Sequence, residues 1–311
     1  MIGIDVGGAN LKVVDENGVH IHYCPLWSGA PLTDLLRPYA SGRDTPAAVV
    51  MSGELADCFG NKLQGIGSIV DAVRQVFPAA LFYGTDAAFH NGPVPALAAA
   101  NWLASADFLR EKYPDAVLLD VGSTTADIIP LSRFPALLGL SDLARLQKGY
   151  LVYTGMLRTP VATLLSSVNL DGTETPVSTE YFATSADVHL VLGHIAADEY
   201  SCDAPDRGEK TPAASLRRLA RVVCADLEEI GNDGAMQIAE AFWDRQRALV
   251  CDTVRRVADE RSATSVVVAG IGAALFAREC GGINLAQDLG PAAAALPAHA
   301  VREVALRTRG N

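Results

Sequence analysis

The sequence predicts a two-lobed α/β protein built by internal duplication around a central cleft, and three observations carry that prediction. The segments "IDVGGANLKVV" and "LDVGSTTADII" superpose Asp5 on Asp120, Val6 on Val121 and Gly7 on Gly122, and each opens a half of the chain. Short apolar runs alternate with helix-period segments through the first third. Half of the 311 residues are apolar while only 6% are aromatic, a balance that excludes disorder and suits an Ala/Val/Leu-rich α/β enzyme better than an aromatic-rich β sandwich.

The first lobe, residues 1–115, opens with strands at "MIGIDV", "LKVVDE" and "VHIHYCPL", turned by Gly7-Gly8 and Asn17-Gly18. A short helix near "PLTDLLRPYA" precedes a buried strand at "AAVVM". The segment "GIGSIVDAVRQVF" reads as a helix, because Ile66, Ile69, Val70, Val73, Val76 and Phe77 share one face at helical spacing. A strand at "ALFYG" and one long Ala-rich helix over "VPALAAANWLASADFLREKY" complete the order βββαβαβα.

The second lobe, residues 116–311, restarts the pattern at "AVLLDVGSTTADIIPL" and then departs from it. Polar stretches at "LDGTETPVSTEYFATSADV" and "DEYSCDAPDRGEKTP" read as functional insertions or exposed loops, since a compact repeat has shorter connections. Two long helices follow, one striped by Leu216, Leu219, Ala220, Val223, Leu227 and Ile230, the other by Ile238, Phe242, Leu249, Thr253 and Val257. "SVVVAGIGAALFA" reads as strand, Gly-x-Gly turn and helix start. The Ala/Pro-rich end is expected either to finish this lobe or to pack back on the first. No Gly/Ser linker parts the halves, so they should pack closely around the cleft.

A net charge of −11 offers no global attraction to nucleic acid or an anionic membrane, so any anionic ligand has to be held locally. No apolar stretch approaches the roughly 20 residues of a membrane span, and the N-terminus lacks the pattern of a signal peptide, which makes a cytoplasmic protein the expectation. Cys24, Cys58, Cys202, Cys224, Cys251 and Cys280 form no C-x-x-C pair and are expected as reduced thiols, with Cys58 read as a half-buried thiol rather than a nucleophile. His90, His189 and His194 lack metal-ligand spacing and read as partly buried structural histidines.

The chemistry concentrates in the two repeated turns. A tight turn between antiparallel strands that lacks bulky side chains exposes consecutive backbone N–H groups, which form a nest for phosphate oxygens. Gly7 and Gly8 permit that approach, and strand alternation puts Asn10 and Lys12 on one side, where the Lys adds a point charge. In the second turn Ser123, Thr124 and Thr125 add hydroxyl donors beside Gly122. Two facing phosphate loops imply a polyphosphate. Asp5 and Asp120 each end an apolar strand, where a carboxylate is costly to bury without a cation; Mg²⁺ reconciles them with phosphate.

These loops resemble those of the superfamily of sugar kinases, heat-shock ATPases and actins, with its duplicated, two-lobed, ribonuclease H-like fold. In that superfamily a late Gly-rich turn supports adenosine; Gly270 and Gly272 occupy that place but lack the usual adjacent Gly-Gly, which leaves phosphate expected and ATP open. A narrower resemblance rests on "MSGELADCF" followed by "NK", "DVGSTTADIIPL", "LVYTGMLRTPV", "EYFATSADV" and "RLARVVCADLE". Together these look like the hydantoinase A/oxoprolinase-related proteins linked to tetrahydromethanopterin one-carbon metabolism, whose archaeal relatives act in methanofuran biosynthesis. That resemblance implies a Mg²⁺-dependent transferase joining an aminomethylfuran methyl diphosphate to the phenol of a glutamylated tyramine or tyrosine, with diphosphate leaving.

Several residues then become candidates. Glu54 and Asp57, three apart and able to share a helical face, are candidate bases, and Asp120 is another. Lys12 and the two loops, with Gly270 and Gly272, are expected on the diphosphate. Lys62, Arg158 and Arg221 are expected on glutamate carboxylates or diphosphate, and Ser52, Tyr153 and Thr154 on the remaining substrate. The alternatives are an ATP-dependent kinase or amide-ring hydrolase of the same fold, and a nucleotide-bound scaffold. The partners expected are small molecules, with the choice between monomer and homo-oligomer open.

Overall fold

The computed structural model describes residues 1–42 and 44–310. The first lobe contains β1 (Ile2–Val6), β2 (Asn10–Asp15), β3 (Gly18–Tyr23), α1 (Leu32–Leu36), β4 (Ala47–Met51), α2 (Lys62–Val76), β5 (Leu81–Tyr83), β6 (Phe89–His90) and α3 (Asn101–Leu109). The second continues with β7 (Ala116–Val121), β8 (Ala126–Pro130), α4 (Phe134–Leu137), α5 (Asp142–Lys148), β9 (Leu151–Val152), β10 (Ser167–Leu170), β11 (Thr173–Pro176), α6 (Ser185–Val191) and α7 (Pro212–Arg221). It ends with α8 (Leu227–Arg261), β12 (Ser265–Ala269), α9 (Ala273–Cys280), β13 (Ile283–Asn284), α10 (Ala286–Leu289) and α11 (Leu296–Gly310).

The two main sheets repeat one topology. The first runs β3-β2-β1-β4-β5-β6 and the second β13-β12-β7-β8-β9, so that β1, β2, β3, β4 and β5 correspond to β7, β8, β9, β12 and β13. Directions agree as well: β1–β2 and β2–β3, like β7–β8 and β8–β9, are antiparallel, while β1–β4 and β4–β5, like β7–β12 and β12–β13, are parallel; β6 adds an antiparallel edge to the first sheet alone. This is the duplicated, two-lobed actin- and hexokinase-like fold.

Strand alternation divides the burial. Ile2, Ile4 and Val6 face a core shared with Ile66, Ile69, Val70 and Val73 of α2, while Ala48, Val50 and Tyr83 face α3 and α11 on the other side of the sheet. The second core face contains Val117, Leu119, Ile128, Val250, Val254 and Phe276, and it is continuous with that inter-lobe layer. The Ala/Pro-rich end thus returns to the first lobe, where α11 packs on β1, β4 and α3. Gly3 is required there: a Cβ would stand 2.0 Å from the Ala298 carbonyl oxygen.

Several expectations are corrected. The long Ala-rich helix is broken, because Pro95 starts a separate turn and Ala99 takes φ 47, so α3 begins only at Asn101. The stripe that ran through Leu227 and Ile230 spans two helices; α7 ends at Arg221, Cys224 turns with φ 60, and α8 is itself kinked at Gly231. The polar stretches are not all loops. β10 and β11 form a hairpin, and with α6, α7 and the first part of α8 they enclose a satellite core around Val168, Leu219, Ile238 and Phe242. Cys251 and Cys280 are disulfide-bonded, Cα–Cα 5.3 Å, rather than reduced, because α8 and α9 pack side by side. Among the described residues no helix is long and apolar enough to cross a membrane.

Candidate active site

Both repeated turns close with the same bond. Gly7 N–H donates to the Asn10 carbonyl at 2.9 Å, and Gly122 N–H donates to the Thr125 carbonyl at 2.9 Å. The amides of Gly8, Ala9, Ser123 and Thr124 donate to no backbone carbonyl among the described residues. The turns meet across the lobes, where Asn10 Nδ2 donates to Ser123 Oγ at 3.1 Å. They line an inner cavity of about 210 Å³ together with Asp5, Lys12, Ser52, Asp120, Tyr153 and Arg158.

The electrostatics of this cavity follow from burial. Asp5 and Asp120 end β1 and β7 at equivalent places, 4% and 8% exposed. Burial pushes Asp5 up to about 6, opposed by Lys12. Burial also pushes Asp120 up to about 7, opposed by Lys12 and reinforced by the charges of Asp127 and Asp5. One Asp5 oxygen, Oδ1, is buried with no hydrogen-bond partner among the described residues. Register places Lys12 opposite Asp5 and Asp127 opposite Asp120, so the duplicated position carries opposite charges in the two lobes.

The sequence did not single out Asp127, Asp142 and Arg145. The buried Arg145 guanidinium lies 4.5 Å from the Trp102 ring centre, pairs with Asp127, and donates to Asp142 Oδ1 at 2.8 Å. All three line the inner cavity, as do Ala99 and Asn101. Equivalence with Lys12 in the repeat was the available signal for Asp127. The Arg145 contact is tertiary and had none.

An outer chamber of about 1030 Å³ adjoins the cavity, and Gly8, Ser52, Asp142, Leu151, Tyr153 and Arg158 line both. Its walls are aromatic and aliphatic, with Trp27, Tyr181, Leu55, Leu143 and Leu146 exposed to it. Glu54, Asp57 and Lys62 also line it. Glu54 and Asp57 do not share a helical face, because residues 52–60 are turns between β4 and α2. Glu54 is 1% exposed, its Oε2 has no hydrogen-bond partner among the described residues, and burial raises its carboxyl above the ordinary range despite nearby Lys62. Arg158 bridges the lobes: Nη1 donates to Thr124 Oγ1 at 3.3 Å while the guanidinium stacks 4.5 Å from the Trp27 ring centre.

Four expected residues stand outside both cavities. Gly270 and Gly272 pack behind β7, where a Cβ on Gly270 would meet Val121 O at 2.3 Å and Asp120 Oδ1 at 2.5 Å, so Gly270 makes room for Asp120 instead of touching a ligand. Thr154 is buried and accepts from Gln246 Nε2 at 2.8 Å. Arg221 pairs with Asp206. Cys58 donates to the Leu26 carbonyl at 3.3 Å and lines neither cavity. His90 pairs with Asp86, while His189 lies 3.0 Å from His194 and, held by burial down at about 3, contacts Gln246.

The described residues include no group of three or more His, Cys, Asp or Glu side chains placed to hold a metal. Asp5 and Asp120 nevertheless fit a divalent cation that completes its shell from phosphate and water, as Mg²⁺ does. The unpartnered Asp5 oxygen and the mutual repulsion of the two carboxylates are what such an ion would relieve.

Fold and site together define a two-lobed α/β enzyme with a polar cavity between duplicated loops. The chain belongs to the hydantoinase/oxoprolinase family, whose model matches residues 46–301. It is 36% identical over 284 residues, 88% of this chain and 86% of the relative, to a (4-{4-[2-(gamma-L-glutamylamino)ethyl]phenoxymethyl}furan-2-yl)methanamine synthase of Methanocaldococcus jannaschii. A protein of the same description from Methanococcus vannielii is 37% identical over 168 residues, 54% of this chain and 76% of that one. Among solved structures, the ROK hexokinase of Thermus thermophilus is 13% identical, covering 100% of this chain and 99% of that one, with TM-score 0.42. The Clostridium difficile activator of 2-hydroxyisocaproyl-CoA dehydratase is 11% identical, covering 100% and 97%, with TM-score 0.40.

Proposed function

We propose that this enzyme is a transferase of methanofuran-type cofactor biosynthesis, acting in the cytoplasm on small molecules. It condenses an aminomethylfuran methyl diphosphate with the phenol of a glutamylated tyramine, forming the ether and releasing diphosphate. The observation that carries the reading is the meeting of the two repeated loops on one polar cavity that opens into an aromatic chamber. The product named for the relatives contains the corresponding phenoxymethyl ether.

In this reading the free amides of Gly8, Ala9, Ser123 and Thr124 hold the diphosphate, with Lys12 and Arg158 adding charge-assisted bonds. Asp5 and Asp120 would hold Mg²⁺, which would supply charge neutralisation at the leaving group. Those fixed donors favour departure because negative charge accumulates on the diphosphate as the bond from furan methylene carbon to phosphate oxygen breaks. The electron-rich furan stabilises the positive charge left on carbon. Glu54 takes the phenol proton, and the phenol oxygen forms the new bond to the methylene. A carboxyl raised by burial is better matched to a phenol than an exposed one.

The test is incubation of the purified enzyme with the furan diphosphate, Mg²⁺ and candidate phenols, followed by mass spectrometry and a diphosphate assay. Ether and diphosphate in equal amounts are expected. ATP consumption without ether would favour the kinase or hydrolase reading.

A further inference from the structure

The loop between α6 and α7 is absent from both sheets, yet it supplies one wall of the outer chamber through Cys202, Asp203, Ala204, Pro205 and Arg207. It also reaches the opposite lobe, where Tyr23 Oη donates to Asp203 Oδ2 at 3.3 Å. Cys202 is no nucleophile candidate, since burial pushes its thiol up to about 11.

This loop is braced from beneath. The buried Arg218 donates through Nη1 to Asp206 Oδ1 and to the Glu209 carbonyl, both at 3.1 Å, and through Nε to Asp187 Oδ1 at 2.8 Å. Arg221 secures the other Asp206 oxygen at 3.3 Å. Arg207 sits at the bend with φ 54, its N–H donating to the Ala204 carbonyl at 2.9 Å. Two neighbouring arginines are thus spent on holding Asp206, while Arg207 forms no ion pair among the described residues and lines the chamber.

Of the other cations of the chamber, Arg158 engages Thr124 and Trp27, and Lys62, itself without an ion pair among the described residues, acts on the Glu54 carboxyl at the end of the chamber assigned to the phenol. An acceptor whose phenol lies at Glu54 presents a γ-linked glutamate at its far end, bearing one α-carboxylate and one α-ammonium. The loop brings both a cation and an anion to the chamber wall in Arg207 and Asp203, which complement that pair of charges.

We propose that Arg207 is a specificity-determining residue that binds the α-carboxylate of the acceptor's glutamyl group; this assignment rests on the ether-forming reading above. The experiment is calorimetric titration of wild type, Arg207→Ala and Arg207→Lys with γ-glutamyltyramine and with N-acetyltyramine, which keeps the phenol and amide but lacks the amino acid. Wild type should prefer γ-glutamyltyramine by about tenfold or more, and Arg207→Ala should remove that preference while binding N-acetyltyramine unchanged. Arg207→Lys should retain part of it. Equal binding of γ-glutamyltyramine by wild type and Arg207→Ala, or equal loss for both ligands, would overturn the assignment. Turnover assays on the same samples separate the two readings: no ether from wild type that still shows Arg207-dependent preference overturns the reaction and leaves the carboxylate seat standing.

Discussion

Asn10 and Ser123, 113 residues apart in sequence, are joined by a 3.1 Å bond from the side-chain amide to the hydroxyl. They belong to the two copies of one hairpin turn, so the contact fixes the separation of the paired anion-binding loops. Asn10→Ala should cost about 1 kcal/mol of stability, the net worth of a partly buried hydrogen bond. It should also weaken diphosphate binding. Urea denaturation with and without diphosphate measures both effects.

The pH dependence of the unliganded protein follows from Asp5 and Asp120. Their folded values of about 6 and about 7 lie above the ordinary 3.8, so the folded state binds more protons than the unfolded chain through that interval. Their stabilising contribution is complete below pH 4 and is lost as pH rises through 6 and 7. Asp5→Asn and Asp120→Asn should each flatten the decline in stability between about pH 4 and pH 7, as followed by denaturant midpoints at several pH values.

Glu54→Gln should fold normally, because it removes a buried charge with an unpartnered oxygen. Turnover should fall roughly 10²–10⁴-fold, the usual span for losing a general base. Stabilisation by Mg²⁺ and diphosphate should persist. Steady-state kinetics beside thermal melts checks the separation of roles.

Gly155 supports the second loop from behind. A Cβ there would stand 2.6 Å from Thr124 N and 2.7 Å from Gly122 O, both backbone atoms that cannot swing aside. Gly155→Ala should cost about 1–3 kcal/mol through overpacking. It should also reduce affinity for diphosphate, measurable by calorimetry at a temperature where the variant is folded.

The duplicated loops were legible because strand alternation and turn chemistry act over a few residues, and "IDVGG" and "LDVGS" display both. Glu54 was visible as a carboxylate beside a strand end, but its burial depends on packing against Gly65, where a Cβ would stand 2.0 Å from the Glu54 carbonyl oxygen. The Arg145 pairing with Asp127 and the Cys251–Cys280 bond join segments that meet only after folding, beyond the reach of local pattern. The helix breaks at Ala99 and Cys224 were hidden because neither residue type marks a turn. Arg221 was expected on the substrate and Arg207 was not singled out; what separates them is whether Asp206 engages the side chain, a tertiary contact no local pattern shows.

The central claim is that the two hairpin loops grip a metal-bound diphosphate between the lobes. Its most direct test is the melting temperature of wild type and Asp120→Asn in Mg²⁺ with diphosphate and in Mg²⁺ with ATP. Ligand at about one hundred times its Kd should stabilise the protein by about 2.7 kcal/mol. The account predicts a marked rise for wild type with diphosphate, little with ATP, and none for Asp120→Asn. A rise with ATP alone, or one with diphosphate that survives in Asp120→Asn, would contradict it.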